Sequence, residues 1–407
     1  MDFHLNDEQM ALADAIERFC QAEYPAHTRG EPVSRDEAAR RWRALAQTGV
    51  AGLPFAEPLG GSALGMAEMM LVAQALGRSL AGSGWLASVA LAGMTIDALG
   101  SDAQRERWLA PLIEGEARYG FAFGEPGVGG DLACRHTTAH RHHEGGWQID
   151  GHKHLVLDGA DADMFVVVAR LDGSQGDAFS LAGRVGAAHS ERFSLAGRVD
   201  RADEAALAVL AVPARAPGLN VKRFRTLDGR DAAHLGLVGV RVDDDALIGG
   251  AGQASEAVQD ALDRASALLV AEAAGALDAL IAQTAEHLRT RQQFGRPLAD
   301  FQALQHRLAD MVIALEQARS MAYLAAVAFD DIVIGRAERQ RHVSAAKALV
   351  GPAGRRVAMQ AIQMHGAMGM TDECRVGHYA KRLMVIDRLF GDENHHLRRL
   401  ARLTADR

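Results

Sequence analysis

Apolar residues recur at helical spacing from residue 5 to about 118, as in Met10, Leu12, Ala13, Ile16 and Phe19, with Gly- and Pro-rich breaks near Gly49–Gly65 and Gly82–Gly84. The pattern predicts a helical N-terminal domain whose first helix is capped by Asn6 or Asp7. Gly100-Ser101-Asp102 resets the chain before a helix carrying Trp108. At Tyr119 the period changes. Short β-rich runs at Trp147–Ile149, His154–Leu157, Met164–Ala169, Ala206–Val212 and Leu235–Val242, separated by Gly/Asp turns, predict a small antiparallel sheet. After Gly249-Gly250 the helical period returns, with candidate helices from Ser255 to Thr290, Phe301 to Asp331, Arg336 to Met364 and Gly377 to the C-terminus. Such lengths belong to a helical bundle, and small residues such as Ala267, Ala271 and Ala274 permit close helix approach. The expected order is α, then β, then α, over 1–118, 119–245 and 246–407. The hexapeptide SLAGRV occurs at Ser180–Val185 and again at Ser194–Val199, a local duplication, since a solenoid needs three or more stacked units.

Composition narrows the function classes. With 407 residues, 48% hydrophobic and 24% charged, the chain reads as globular with two or three domains. A net charge of -8 offers no positive field for a phosphate-rich polymer or an anionic membrane, so no nucleic-acid partner is expected. Three widely spaced cysteines, Cys20, Cys134 and Cys374, fit a reducing compartment and give neither a disulfide framework nor a CxxC site. The start MDFHLNDEQM lacks the basic and apolar regions of a signal peptide, and no uninterrupted apolar run suggests membrane insertion; a cytoplasmic location is expected.

Three segments carry chemistry. In Arg291-Gln-Gln-Phe-Gly-Arg-Pro-Leu-Ala-Asp-Phe-Gln302, a guanidinium, an aromatic ring and amides between two long helices could grip a dinucleotide, or could form an ordinary solvated interhelical loop. In Phe121-Ala-Phe-Gly-Glu-Pro-Gly-Val-Gly-Gly-Asp131, closely spaced glycines let backbone amides approach a flat or phosphorylated ligand, and Glu125 or Asp131 could cap a turn. Gln363-Met-His-Gly-Ala-Met-Gly369 is a helix end followed by glycines, which equally describes a simple C-cap.

Together these segments, in this order, resemble the acyl-CoA dehydrogenase family. RQQFGRPLADFQ is similar to its R-x-x-F-G-x-x-x-x-x-x-Q signature, FGEPGVGGD to T-E-P-x-x-G-S-D, GWQIDGHKHLVLDGADAD to its G-x-K-x-x-I-x-x-G-x-x-A-D strands, and QMHGAMG to Q-x-H-G-G-x-G. The resemblance implies an N-terminal helical domain, a middle β domain, a C-terminal four-helix bundle, and FAD held partly across a subunit interface. It places Phe123, Gly124, Leu155, Val156 and Leu157 against the flavin. Arg291, Gln293, Phe294 and Gln302 would contact the pyrophosphate and adenosine end of FAD held by a neighbouring subunit, and Gln363, His365, Gly366 and Ala367 would close the same site. The implied partners are an acyl-CoA substrate, a second copy in a dimer or tetramer or a related chain in a hetero-oligomer, and an electron-acceptor flavoprotein.

The departures from the family pattern bear on catalysis. Gly124 and Gly130 replace the motif's threonine and serine, so two hydroxyls near flavin and acyl-CoA are missing. The substrate-facing D-x-x-R reads Asp263-Arg264-Ala265-Ser266, leaving Asp263, with Arg264 as a substitute cation and Gly130 as a backbone contact. Abstracting the α-proton of a thioester needs a positioned carboxylate. The family's usual glutamate aligns with Phe390, and its alternative placement with Ala265. Nearby carboxylates are Asp387, three residues before Phe390 and on the same face if the helix persists, and Asp392 and Glu393, which follow Gly391. Asp387 is the candidate base, or else, like the other two, a solvated or ion-paired surface acid, with Arg382 and Arg388 as its partners. His136, His140, His142, His143, His152 and His154 lack an acid or thiolate at a recognised ligand spacing, and His395-His396 reads as surface, so no metal is expected. The resemblance therefore implies FAD-dependent α,β-dehydrogenation of an acyl-CoA. The alternatives are a non-catalytic subunit completing a partner's FAD site and a flavin monooxygenase or oxidase on the same fold.

Overall fold

The computed structural model describes residues 5–24, 34–82, 84–126, 136–171, 207–250 and 253–405. The SLAGRV pair, Gly130, Asp131 and Cys134 lie outside them. Asn6, not Asp7, caps α1 (Asp7–Glu23): its side chain accepts from the Gln9 amide at 2.8 Å, and Gln9 reaches back to the Asn6 amide at 3.2 Å. Ser34 caps α2 (Arg35–Ala46) by accepting from the Glu37 amide, while Ser101 caps α5 (Asp102–Ile113) in the same reciprocal manner as Asn6, with Gln104. Between them lie α3 (Met66–Ser79) and a wide-wound helical stretch, Leu86–Gly93, running into α4 (Met94–Leu99).

The sheet comprises β1 (Tyr119–Ala122), β2 (Thr138–Arg141), β3 (Trp147–Leu157), β4 (Met164–Leu171), β5 (Leu207–Pro213), β6 (Leu219–Arg225), β7 (Asp231–Val242) and β8 (Leu247–Ile248). Its order is β6-β7-β3-β2-β4-β5-β8, with β1 also on β4. The two runs expected at Trp147–Ile149 and His154–Leu157 are one strand, interrupted by register shifts against β7 between Ile149 and Gly151 and between Lys153 and Val156. The sheet is mixed rather than antiparallel, because β1 and β2 lie end to end along β4 and both run parallel to it. Strands β4 and β5 are buried almost throughout, so they carry continuous apolar runs instead of an alternating pattern.

The C-terminal part packs α6 (Ala254–Thr290), α7 (Gln302–Asp330), α8 (Arg336–His365) and α9 (Arg375–Arg388) as a bundle, with the hairpin β9 (Gln292–Gln293) and β10 (Arg296–Pro297) between the first two. By composition and length α6 and α7 could each cross a membrane, but 83% of the apolar window of α6 is buried inside the protein, as expected of a core helix. α3 crosses α6 backbone to backbone: a β-carbon on Gly77 would stand 2.0 Å from the Glu272 carbonyl oxygen, and one on Gly275 2.0 Å from that of Gln74. The last predicted helix is two. The chain breaks after α9, with Phe390 and Gly391 both at positive φ, and restarts as α10 (Glu393–Ala405).

Candidate functional site

The first group of site residues lies where β1 leaves the sheet. The Phe123 ring centroid is 5.9 Å from those of Phe121 and Phe390. Gly124 accepts from the His154 amide at 2.8 Å, and a β-carbon there would come within 3.0 Å of the His154 carbonyl, so this close strand contact favours glycine. Glu125 does more than cap a turn. It is buried, accepts the amides of His136 and Thr137 at 2.8 and 2.9 Å, and pairs with the fully buried Lys153 at 3.0 Å; Lys153 also donates to the Phe123 carbonyl at 3.2 Å. A buried carboxylate with this many donors ties the segment to β3, whose Leu155, Val156 and Leu157 form the adjoining wall. Leu155 sits at φ 52°, where the register of β3 slips.

The second group faces outward. Arg291 ends α6, and the following hairpin turns at Phe294 and Gly295, both at positive φ. That turn leaves the Phe294 ring 90% exposed, edge-on to Phe301 at 6.1 Å, with the Arg296 guanidinium 4.1 Å from the Phe301 centroid. Arg291, Gln293, Gln302 and Gln363 are exposed, and His365 stacks on His287 with centroids 4.3 Å apart. Burial, then His365 and Arg291, hold the His287 imidazole below its ordinary value. Gly366 turns at φ 64° and Ala367 follows in a single 3₁₀ stretch. Among the described residues, no hydrogen bond or ring contact joins this group to Phe123 or Leu155. An exposed guanidinium, ring and amides therefore suit a dinucleotide held by another chain, while the glycine-backed wall at Phe123–Gly124 suits a flat ring.

The third group surrounds Phe390. Its ring lines a cavity of about 310 Å³ together with Gln259, Asp263, Ser266, His395 and Arg399. Asp263 does not await a substrate unaided: Arg399 of α10 grips both its oxygens, at 2.5 and 2.8 Å. Arg264 points elsewhere, over the Phe329 ring at 5.5 Å, with Asp97 and Asp260 nearby. Asp387 is not a surface acid but 1% exposed, and its partner is Arg355 at 2.8 Å; Arg388 stands 3.9 Å away, and Arg382 goes to Glu272 and Asp228. Asp387 packs on Gly351 of α8, where a β-carbon would lie 2.1 Å from Oδ1. Its carboxylate is thus turned into the bundle. His396 is buried rather than on the surface, and burial, followed by Lys347 and other cations, pushes it down to about 2. His142, His143 and Glu144 offer ligand atoms within 4.8 Å of one another, although Arg241 already holds Glu144 at 3.1 Å.

Sequence reasoning missed Lys347, Arg399 and the charged quartet of Glu272, Arg382, Asp228 and Arg230. Lys347 donates to the carbonyls of Ile386 and Leu389 at 2.6 and 2.9 Å, collecting the loose end of α9 just before Phe390. For Glu272, Lys347 and Arg382 the available signal was a charge at an apolar phase of a helix; Asp228 and Arg230 lie in the β6–β7 turn, which carries no such signal.

Comparison with known proteins agrees with this fold. Family models for the N-terminal, middle and C-terminal domains of acyl-CoA dehydrogenase match residues 6–116, 120–183 and 255–404. The acyl-CoA dehydrogenase FadE27 of Mycobacterium tuberculosis is 28% identical over 100% of this chain and 99% of its own length. The solved butyryl-CoA dehydrogenase of Megasphaera elsdenii superposes with a TM-score of 0.84 at 22% identity, covering 100% of both chains. A chain of the ChsE4-ChsE5 complex of Mycobacterium tuberculosis does so with a TM-score of 0.81 at 25% identity, again over 100% of both. With three consecutive domain matches and the family's order of helices, sheet and bundle, the chain belongs to the acyl-CoA dehydrogenase family of FAD-dependent oxidoreductases.

Proposed function

We propose that this chain serves FAD-dependent α,β-dehydrogenation of an acyl-CoA as one subunit of a hetero-oligomer, completing the FAD site of a related chain that carries the base. One contrast carries the reading: the exposed Arg291 segment keeps the family's R-x-x-F-G-x-x-x-x-x-x-Q pattern, whereas the position that aligns with the family's glutamate is Phe390, its ring against Phe123. FAD, when bound, takes up the hydride leaving the β-carbon. This chain's part is to bind and orient: Arg291 to meet the diphosphate, Phe294 the adenine, and Gln293, Gln302 and Gln363 its polar edges. Nothing in the described cleft replaces the glutamate. Asp387 is bound to Arg355, Asp263 to Arg399 and Glu125 to Lys153. Val312, Ile313 and Leu324 of α7 are exposed, an apolar helix face that supports assembly with another chain. The solved ChsE4-ChsE5 complex, one chain of which has this fold, joins two differently named components.

The test mixes the purified protein anaerobically with acyl-CoAs of graded length, alone and after co-expression with related chains that keep the glutamate. Bleaching of the flavin only in the mixed assembly is the expected result; full bleaching by the chain alone would reject the subunit reading. Arg291→Ala should weaken FAD retention in that assembly by about 1.5–3 kcal/mol, roughly ten- to hundredfold, measured as the FAD dissociation constant.

A further inference from the structure

Six non-glycine residues among those described adopt a left-handed backbone: Ala63, Leu80, Leu155, Asp158, Phe294 and Phe390. Such conformations must be stabilised by their surroundings, and they gather at functional sites. Leu155, Phe294 and Phe390 belong one each to the three groups described above. Leu80 and Asp158 belong to none of them, yet both line one cavity of about 400 Å³ where the N-terminal helices, the sheet and α9 meet.

Most charges around this cavity are already paired. On its floor Arg382 donates to Glu272 at 2.8 and 2.7 Å and to Asp228 at 2.8 Å, and Arg230 reaches Glu272 at 2.6 Å. On its walls Arg225 faces Asp231 at 3.5 Å, Lys381 faces Asp372 at 3.4 Å, Arg41 is held by Glu37 at 2.7 Å, and Asp161 meets Arg223 at 3.3 Å. Two groups are left over. Among the described residues neither the Arg118 guanidinium nor the Asp158 carboxyl has a hydrogen-bond or ion-pair partner. The two feel each other's charge without touching, so a gap separates them. Burial pushes Asp158 up to about 6, against the pull of Arg230, Arg382 and Arg118 and with a contribution from Asp231. A guanidinium fork with nothing to bind matches a carboxylate, and a neighbouring acid that still carries its proton can donate to the same group. An amine would instead meet Arg118, Arg230 and Arg382.

We propose that this cavity binds a carboxylate-bearing small molecule, with the carboxylate on Arg118 and Asp158 as the second polar contact. The carboxylate comes either from a free organic acid or from the far end of an acyl thioester. The second source rests on the dehydrogenase reading, because Asp158 directly follows Leu157 of the flavin wall.

The full-length protein is titrated calorimetrically with glutarate, glutaryl-CoA, butyryl-CoA and butylamine at about pH 5 and about pH 8. Glutarate or glutaryl-CoA should bind at the lower pH and weaken by about tenfold or more at the higher, as Asp158 loses its proton. R118Q should lose about tenfold or more in affinity, while D158N, uncharged throughout, should lose most of the pH dependence that wild type shows with the same ligand. Both variants should fold: Arg118 has no side-chain partner to lose, and asparagine tolerates the left-handed backbone as aspartate does. Binding of free glutarate identifies an organic-acid pocket. Binding of glutaryl-CoA, with butyryl-CoA much weaker and free glutarate absent, identifies the distal end of a substrate. No binding of either acid, undiminished affinity in R118Q, a preference for butylamine, or equal affinity for the two thioesters with free glutarate not binding would each overturn the proposal. The dehydrogenase reading fails separately, through unchanged FAD retention in Arg291→Ala.

Discussion

Phe390→Glu is expected to raise flavin reduction by acyl-CoA in the chain alone by roughly 10²–10⁴-fold, the usual contribution of a positioned general base. The new carboxylate would stand where the ring now meets Phe123, bordered by His395 and Arg399. Desolvation raises its proton affinity and the Arg399 charge lowers it, although Asp263 already occupies both terminal guanidinium nitrogens. Removing the ring contact and burying part of a charge should cost about 1–3 kcal/mol of stability, so FAD content and thermal midpoint must be measured beside the rate. Anaerobic stopped-flow absorbance reports the result. An unchanged rate in a folded, FAD-loaded variant would mean that more than a base is missing from this chain. Asp387→Asn should leave the activity of the mixed assembly intact, because its carboxylate faces Arg355 and Gly351 rather than the cleft.

Arg382→Leu should destabilise the protein by about 3–5 kcal/mol, the cost of leaving a buried charge without its partner. Arg382 of α9 is 3% exposed and bonds Glu272 of α6 and Asp228 of the β6–β7 turn, while Arg230 joins Glu272 to the Ala81 carbonyl. One cluster thus ties helices and sheet together. Burial is the largest single influence on Glu272 and Asp228 and pushes both upward; the two arginines outweigh it and hold both carboxyls below their ordinary values. In wild type this stabilisation is present above the unfolded carboxylate range and is lost as pH falls. The leucine variant lacks half of that pull, so its deficit in chemical denaturation should be largest near neutral pH and shrink toward acid, where a protonated Glu272 needs no cation. A deficit independent of pH would assign the loss to packing.

Periodicity, caps and breaks were enough to place nearly every long helix, because a 3.6-residue period and an Asn6 or Ser101 cap are local properties of the chain. The segment proposed as a dinucleotide grip was legible as one local unit for a related reason: Arg291, Phe294 and Gln302 fall between two helices, and spacing along the chain almost suffices to bring them together. Where the local signal was weak, the reading slipped. Strands β1, β2 and β6 are short or polar, the parallel partners of β4 are distant in sequence, and the break at Phe390–Gly391 interrupts an otherwise helical pattern.

The sequence by itself determined the order of helices, sheet and bundle and the family, since each depends on residue type and spacing alone. Tertiary structure alone decided which charges are partners. Asp387 turned to Arg355, Asp263 to Arg399, and Arg382 to Glu272 and Asp228, because a buried charge is stable only beside an opposite one and the nearest opposite charge in space lies 32 to 154 residues away in sequence. The same rule singles out Arg118 and Asp158, whose lack of partners could be seen only after every other charge around their cavity had found one.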